Sequence, residues 1–298
     1  MKVMAEERYS FNRKLKLLSF SLMILGLMGL SFGFITAPKN VQEAREIMSH
    51  HDDHGEHHSD NSKVKKGNID INSLSVMYKP KKEDGDHGTS HDEHVFHQLS
   101  NKPWAALYVA AFFFFMISLG TLAFYAINRA AQVGWSPILF RVMEGITAYM
   151  LPGGLIVIFI LFLSGLHLNH LFIWMDPEVV SHDKIIAAKK GYLNVPFVLA
   201  RGLFFLAGWS LYRYFSRKFS LAQDLAKDNK NHKKNFRISA AFLVFYIVTE
   251  SIMSWDWIMS IDPHWFSTLF GWYVFASMFV SGISTIALVT IYLKSKGY

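Results

Sequence analysis

Long apolar runs alternate with short polar links along this chain, and the runs set its architecture. Six of them have about the 20-residue length that crosses a bilayer: Leu15–Thr36, Pro103–Ile127, Ala148–Trp174, Leu193–Tyr214, Phe236–Trp257 and Leu269–Leu293. None has the period-two alternation of a membrane barrel. Backbone polar groups in hydrocarbon must be satisfied within the segment, so the runs are read as helices. The expected fold is all-α, a polytopic transmembrane helix bundle of six spans. Its parts are a tail at 1–14, a first helix at 15–36, a His-rich loop at 37–102, a five-helix region at 103–293 and a tail at 294–298.

The polar links orient the bundle, because Lys and Arg in short loops stay on the cytoplasmic side. The 213–237 link carries Arg213, Arg217, Lys218, Lys227, Lys230, Lys233, Lys234 and Arg237 against Asp224 and Asp228. The 256–268 link has neither Lys nor Arg. Basic residues also mark both ends of the chain and the short link around Arg129 and Arg141. Both termini are therefore expected in the cytoplasm, and the 38–102 loop outside it. Lys14 and Lys16 give the first span the look of a signal peptide. Its length, its Gly26, Gly29 and Gly33 packing face and its poor cleavage site favour a retained anchor.

Composition narrows the chemistry. The chain has no cysteine, which excludes disulfides, thiolate iron–sulfur ligation and thioether haem attachment. The formal net charge of +7 sits in the links, so it speaks to topology, and no nucleic-acid motif accompanies it. Histidines cluster in HHDDHGEHH (50–58) and HDEHVFH (91–97). His54, His57 and His58 have the residue types to hold a divalent ion. Without a closed four-ligand pattern the segment is read as a solvated loop with weak metal affinity, and no metal site is assigned. Between the clusters, NIDINSLSVMYK (68–79) is a candidate strand or partner contact.

Ionisable groups inside apolar spans are costly and tend to be functional. Arg201 and Glu250 lie about 12 Å from the outer ends of adjoining antiparallel spans, at one level by helix rise. An ion pair or a shared water network would accommodate both, as a helix clamp or as a working site. His167 and His170, three apart, are expected on one face of the third span. That spacing cannot grip a haem from both sides; it suits proton acceptance, a hydrogen bond to a quinol, or an interhelical hydrogen bond. Glu144 precedes Pro152-Gly153-Gly154, which can loosen the helix, and is a candidate point where protons enter, or a snorkelling side chain. Asp256 is a further candidate for a proton path or a quinone contact. With Asp176, Asp262 and His264 it also reads as a rim residue, in turns or helix caps. Trp174, Trp255, Trp257, Trp265 and Trp272 are read as an interfacial aromatic belt. Buried polarity is expected to concentrate in the outer half, and no residue is assigned as catalytic.

Three segments, SWDWIMSIDPHWFSTLFGWYVFAS, HLNHLFIWMDPE and KKGYLNVPFVLARGLFF, resemble the F-type membrane subunit of bacterial alternative complex III. That subunit belongs with the polysulfide-reductase-like membrane subunits that interact with quinols. The resemblance covers the third to sixth spans. It implies a multi-pass subunit of the bacterial inner membrane in a quinol:cytochrome c oxidoreductase. Its partners would be a sister C-type membrane subunit, an iron–sulfur subunit, multihaem cytochrome c subunits and a terminal oxidase. Haem c and iron–sulfur clusters would reside in those partners, leaving this chain without a bound cofactor except a contact to quinone or menaquinone. The family pattern has about ten spans, so a second bundle is expected beyond the six present. A proton- or ion-coupled transporter is the competing reading, since buried charges and broken helices suit it as well.

The cysteine-free background makes the orientation testable. In intact cells an impermeant maleimide is expected to label Ser267→Cys, whereas Asn231→Cys reacts only after lysis; the reverse pattern would invert the topology.

Overall fold

This computed structural model describes residues 12–52 and 87–297, with side chains for 12–47 and 96–297. The 68–79 segment and the side chains of the histidines at 50–58, 91 and 94 lie outside the described residues. Every regular element among the described residues is helical. The long ones are α1 (Arg13–Thr36), α2 (Val41–Asp52), α3 (His87–Ala130), α4 (Phe140–Ile146) and α5 (Met150–Gly165). Two short ones, α6 (Pro177–His182) and α7 (Lys184–Ala188), precede α8 (Val195–Leu225), α9 (Lys230–Trp257) and α10 (Phe270–Ser295). Six helical stretches are long and apolar enough to cross a membrane, which is the expected number.

Two compact units divide the chain, Gly29–Pro103 and the remainder. In the smaller one, Asn40 and Glu43 start α2 by capping each other's end. Glu43 N donates to Asn40 Oδ1 at 2.9 Å, satisfying an amide that a helix start leaves open, and Lys39 N, just before the cap, donates to Glu43 Oε2 at 2.8 Å. No residue of α1 is buried, the condition of a helix whose apolar surface is made for lipid or for another helix.

In the larger unit α9 packs along α8 and α10, and α5 along α8. Phe115, Trp209 and Trp257 meet at the centre with ring centroids 5.8–6.4 Å apart, in tilted and edge-on geometry that suits aromatic quadrupoles. All three are fully buried. Trp257 is thus a core residue rather than part of an aromatic belt, and so is Trp174; Trp265 and Trp272 are exposed as a belt requires. Gly202 leaves room for the Trp257 indole, whose ring a Cβ at that position would approach to 3.0 Å.

The third span departs most from its expected limits of Ala148–Trp174. It starts earlier, at Ser136, as a 3-10 turn, α4, a second 3-10 turn over Thr147–Tyr149 and then α5. It also stops at Gly165. His167 takes a left-handed conformation (φ 58°), with its amide on Ser164 O and the Leu168 amide on Leu163 O. That pairing is a Schellman stop, which closes the last open carbonyls of a helix. Apolar residues run on past it, so hydropathy alone carried the span too far. The fourth and fifth spans exceed their apolar runs instead, because Lys, Arg and Gln are good helix formers and prolong α8 and α9 beyond the hydrocarbon.

α3 crosses α10 where two glycines meet. A Cβ on Gly120 would collide with the Met278 carbonyl, and one on Gly282 would sit 2.8 Å from Thr121 N. Gly282→Ala should therefore lower the unfolding free energy in detergent by about 1–3 kcal/mol through overpacking. Gly26→Ala, where nothing lies within 4 Å, serves as the silent control; equal effects of the two would dismiss the tight crossing.

Candidate functional site

Three polar constructions occupy the larger unit. One lies at its Trp-rich end, formed by the 166–194 and 258–269 links. Another lies at its Arg-rich end, by the 131–135 and 226–229 links. Glu250 stands between them on α9.

At the Trp-rich end Arg201 grips Asp256. Its Nε donates to Asp256 Oδ2 at 2.8 Å and its Nη2 to Oδ1 at 2.9 Å, the two-pronged geometry of the strongest charge-assisted contacts. Asp256 is wholly buried, and 12% of the Arg201 side chain is exposed. The guanidinium also lies 4.0 Å from the Tyr192 ring centroid and 4.2 Å from that of Phe197, a favourable position for a cation. Partial burial, with the Asp256 carboxylate next, pushes the Tyr192 phenol up from its ordinary value.

The expected Arg201–Glu250 pairing is therefore replaced by Arg201–Asp256. Six residues separate Glu250 from Asp256, about 9 Å along the axis and roughly 120° around it, so the two carboxyls serve different faces of α9. Nor is Asp256 a cap, since its side chain is spent on Arg201.

Glu250 is 3% exposed and forms no ion pair among the described residues; its Oε1 has no hydrogen-bond partner. It lines a cavity of about 180 Å³ with Tyr246, Trp272 and Phe275. A second, apolar cleft of about 470 Å³ runs beside Tyr108, Phe112 and Trp257.

The Arg-rich end holds the densest network, which corrects the expectation that buried polarity gathers at the other end. Glu144 does not snorkel outward; it is buried. Arg141 Nη1 reaches its Oε2 at 2.6 Å, Tyr125 OH donates to its Oε1 at 3.1 Å, and Arg129 Nη2 stands 4.0 Å away. Arg141 is also paired with Asp224. From Tyr125 the bonding continues to Ser216 at 3.2 Å, Ser216 to Asn235 at 2.6 Å, Asn235 to Ser239 at 3.5 Å, and Ser239 to Tyr212 at 2.8 Å. Arg213 Nε donates to Thr147 Oγ1 at 3.1 Å, beside the break in the third span. Sequence reading missed Tyr125, Tyr212, Ser216, Ser220, Asn235 and Ser239. The signal was present as hydroxyl and amide residues four apart, at 212, 216 and 220 on α8 and at 235 and 239 on α9, one face of each helix.

The remaining candidates do not join these sites. His167 is the helix stop already described, exposed, and His170 lies past it in the same link, so the two do not share a helix face. Asp176 does cap α6, accepting from Glu178 N at 2.9 Å. Asp262 accepts from His264 N at 3.1 Å in a local turn; α10 begins only at Phe270. His264 Nε2 lies 2.5 Å from Asp183 Oδ2. Asp183 also caps α7, and although its slight burial works the other way, the His264 contact and the Ile185 and Ile186 amides hold its carboxyl below the usual range. No three His, Asp or Glu side chains converge as metal ligands among the described residues.

No family model and no curated protein sequence matches the chain.

Breaking a buried ion pair from one side strands the other charge. Asp256→Asn is expected to cost about 3–5 kcal/mol of unfolding free energy, and Arg201→Met with Asp256→Leu to restore much of it. A double-mutant cycle in detergent that finds no coupling would show that the two residues do not act as a unit.

Proposed function

We propose that this chain is an integral membrane subunit of a bacterial respiratory quinol:cytochrome c oxidoreductase of the alternative complex III type. It sits in the inner membrane with both termini cytoplasmic. Electron-transfer groups, haem c and iron–sulfur clusters, belong to partner subunits: multihaem cytochrome c subunits, an iron–sulfur subunit, a sister C-type membrane subunit and a terminal oxidase. The three motifs quoted above support the family reading. Within the complex the chain has a structural role and conducts protons, with Glu250 as the central acid; a quinone or menaquinone contact is the remaining family role.

One observation carries the proton-conducting role. Buried polar side chains recur along the whole of α9, at Asn235, Ser239, Tyr246, Thr249, Glu250 and Asp256. That is about 31 Å of helix, the thickness of a hydrocarbon core. At one end the polar residues join the Glu144–Tyr125–Ser216 network, and at the other, on a neighbouring face of α9, lies the Arg201–Asp256 pair. Hydroxyls and carboxyls can both take and give a proton. Ser239 and Glu250 are separated by about 16 Å of helix, so transfer between them needs mobile side chains or water.

A proton- or ion-coupled transporter is the second reading, favoured by the interrupted third span with Arg213 at its break. Purification from native membranes in mild detergent separates the two. Multihaem and iron–sulfur partners with quinol:cytochrome c activity are expected; a colourless, partner-free protein would sink the respiratory reading. In the assembled complex Glu250→Gln should slow proton release by about 10²-fold, the scale of a lost proton-transfer group. Unchanged turnover and proton release would remove Glu250 from the mechanism.

A further inference from the structure

The cavity at Glu250 opens sideways. Its floor is Tyr246, 1% exposed, and Glu250 itself, while Ile247 and Trp272 on its rim are 54% and 62% exposed. Ile247 lies within the apolar span of α9, about 15 Å in from the Trp257 end, and Trp272 lies in the first turn of α10, so the mouth faces the flank from the belt inward. Ile127, Leu243 and Phe275 complete an apolar wall. The hydroxyls there are engaged elsewhere: Ser251 donates to Ile247 O at 3.0 Å and Tyr246 to Met278 Sδ at 3.2 Å. Glu250 is left as the cavity's reactive group. With no cation paired to it among the described residues, an ionised carboxylate in such a wall is costly and the uncharged acid is the form that fits. The volume is close to that of an apolar cavity known to hold one benzene-sized ring.

We propose that Glu250 is a covalent modification site for uncharged, lipid-dissolved carbodiimides, which reach it from the flank of the bundle rather than from either aqueous face. The carboxyl proton passes to one carbodiimide nitrogen, and the carboxylate oxygen bonds to the central carbon, forming an O-acylisourea. The acyl group then shifts from that oxygen to the neighbouring nitrogen, breaking a C–O bond and forming a C–N bond. The product is a stable N-acylurea with no leaving group and no change of oxidation state. The first step consumes the carboxyl proton, and a water-poor surround favours the acyl shift over hydrolysis of the O-acylisourea; the cavity supplies both conditions. The inference rests on burial and cavity geometry and stands apart from the respiratory reading.

The test treats native membranes with dicyclohexylcarbodiimide or with a charged, water-soluble carbodiimide and maps the adduct by peptide mass spectrometry. Glu250 is expected to carry the label from the lipid-soluble reagent alone, and Glu250→Gln to abolish it. Ile247→Trp, which fills the mouth from the lipid side and leaves the carboxyl in place, should reduce labelling severalfold in the folded protein. Equal labelling by both reagents would put Glu250 on an aqueous route and overturn the proposal. Absence of label from folded wild-type protein, or an Ile247→Trp variant labelled as fast as wild type, would overturn it too. None of these readouts involves quinol turnover, so they succeed or fail independently of the complex.

Discussion

The Arg201–Asp256 pair is the interaction around which the bundle is organised. It joins the first turns of α8 to the last turn of α9, where the carboxylate is sealed from water and the guanidinium nearly so. An unpaired ion there would cost several kcal/mol even after relaxation, so the two helices are held in one register. That register puts Trp257 against Gly202 and, through Trp209 and Phe115, assembles the aromatic centre. Tyr108 adds a further tie from α3, its hydroxyl donating to Trp257 O at 2.7 Å.

Beside this two-pronged pair, Glu250 stands out as a buried carboxyl without a counter-charge among the described residues. The Arg-rich end follows the opposite policy: Glu144, Arg129, Arg141 and Asp224 share charges, and the hydroxyls and amide of α3, α8 and α9 extend the bonding inward. Satisfied networks of this kind rigidify a core. Among the described residues the contrast leaves Glu250, in the middle of α9, as a buried acid whose Oε1 the scaffold does not engage.

The interrupted third span serves the same division. A continuous helix from Ser136 to Trp174 would be a plain lipid-facing rod. The 3-10 turn at Thr147–Tyr149 instead brings Glu144 and Thr147 to Arg213, and the Schellman stop at Gly165 frees the link that carries Asn169, buried and accepting from Ser164 Oγ at 2.5 Å. Gly153 and Gly154 let α5 lie close to Phe115 and Leu206.

The sequence by itself determined the helical class, the six spans and most of their positions, because apolar length is a property of consecutive residues and the bilayer imposes one scale on all of them. It also determined Asp176 as a cap, since capping is decided within one turn. It singled out Arg201, Glu250, Asp256 and Glu144, because charge in an apolar run is conspicuous wherever the partner lies. Tertiary structure alone decided who pairs with whom. Asp256 rather than Glu250 meets Arg201 because rotation about the helix axis and the true helix start, not depth, choose the partner. The Tyr125–Ser216–Asn235 network and the burial of Trp257 likewise depend on which faces of α3, α8 and α9 turn toward one another, and no single span encodes that.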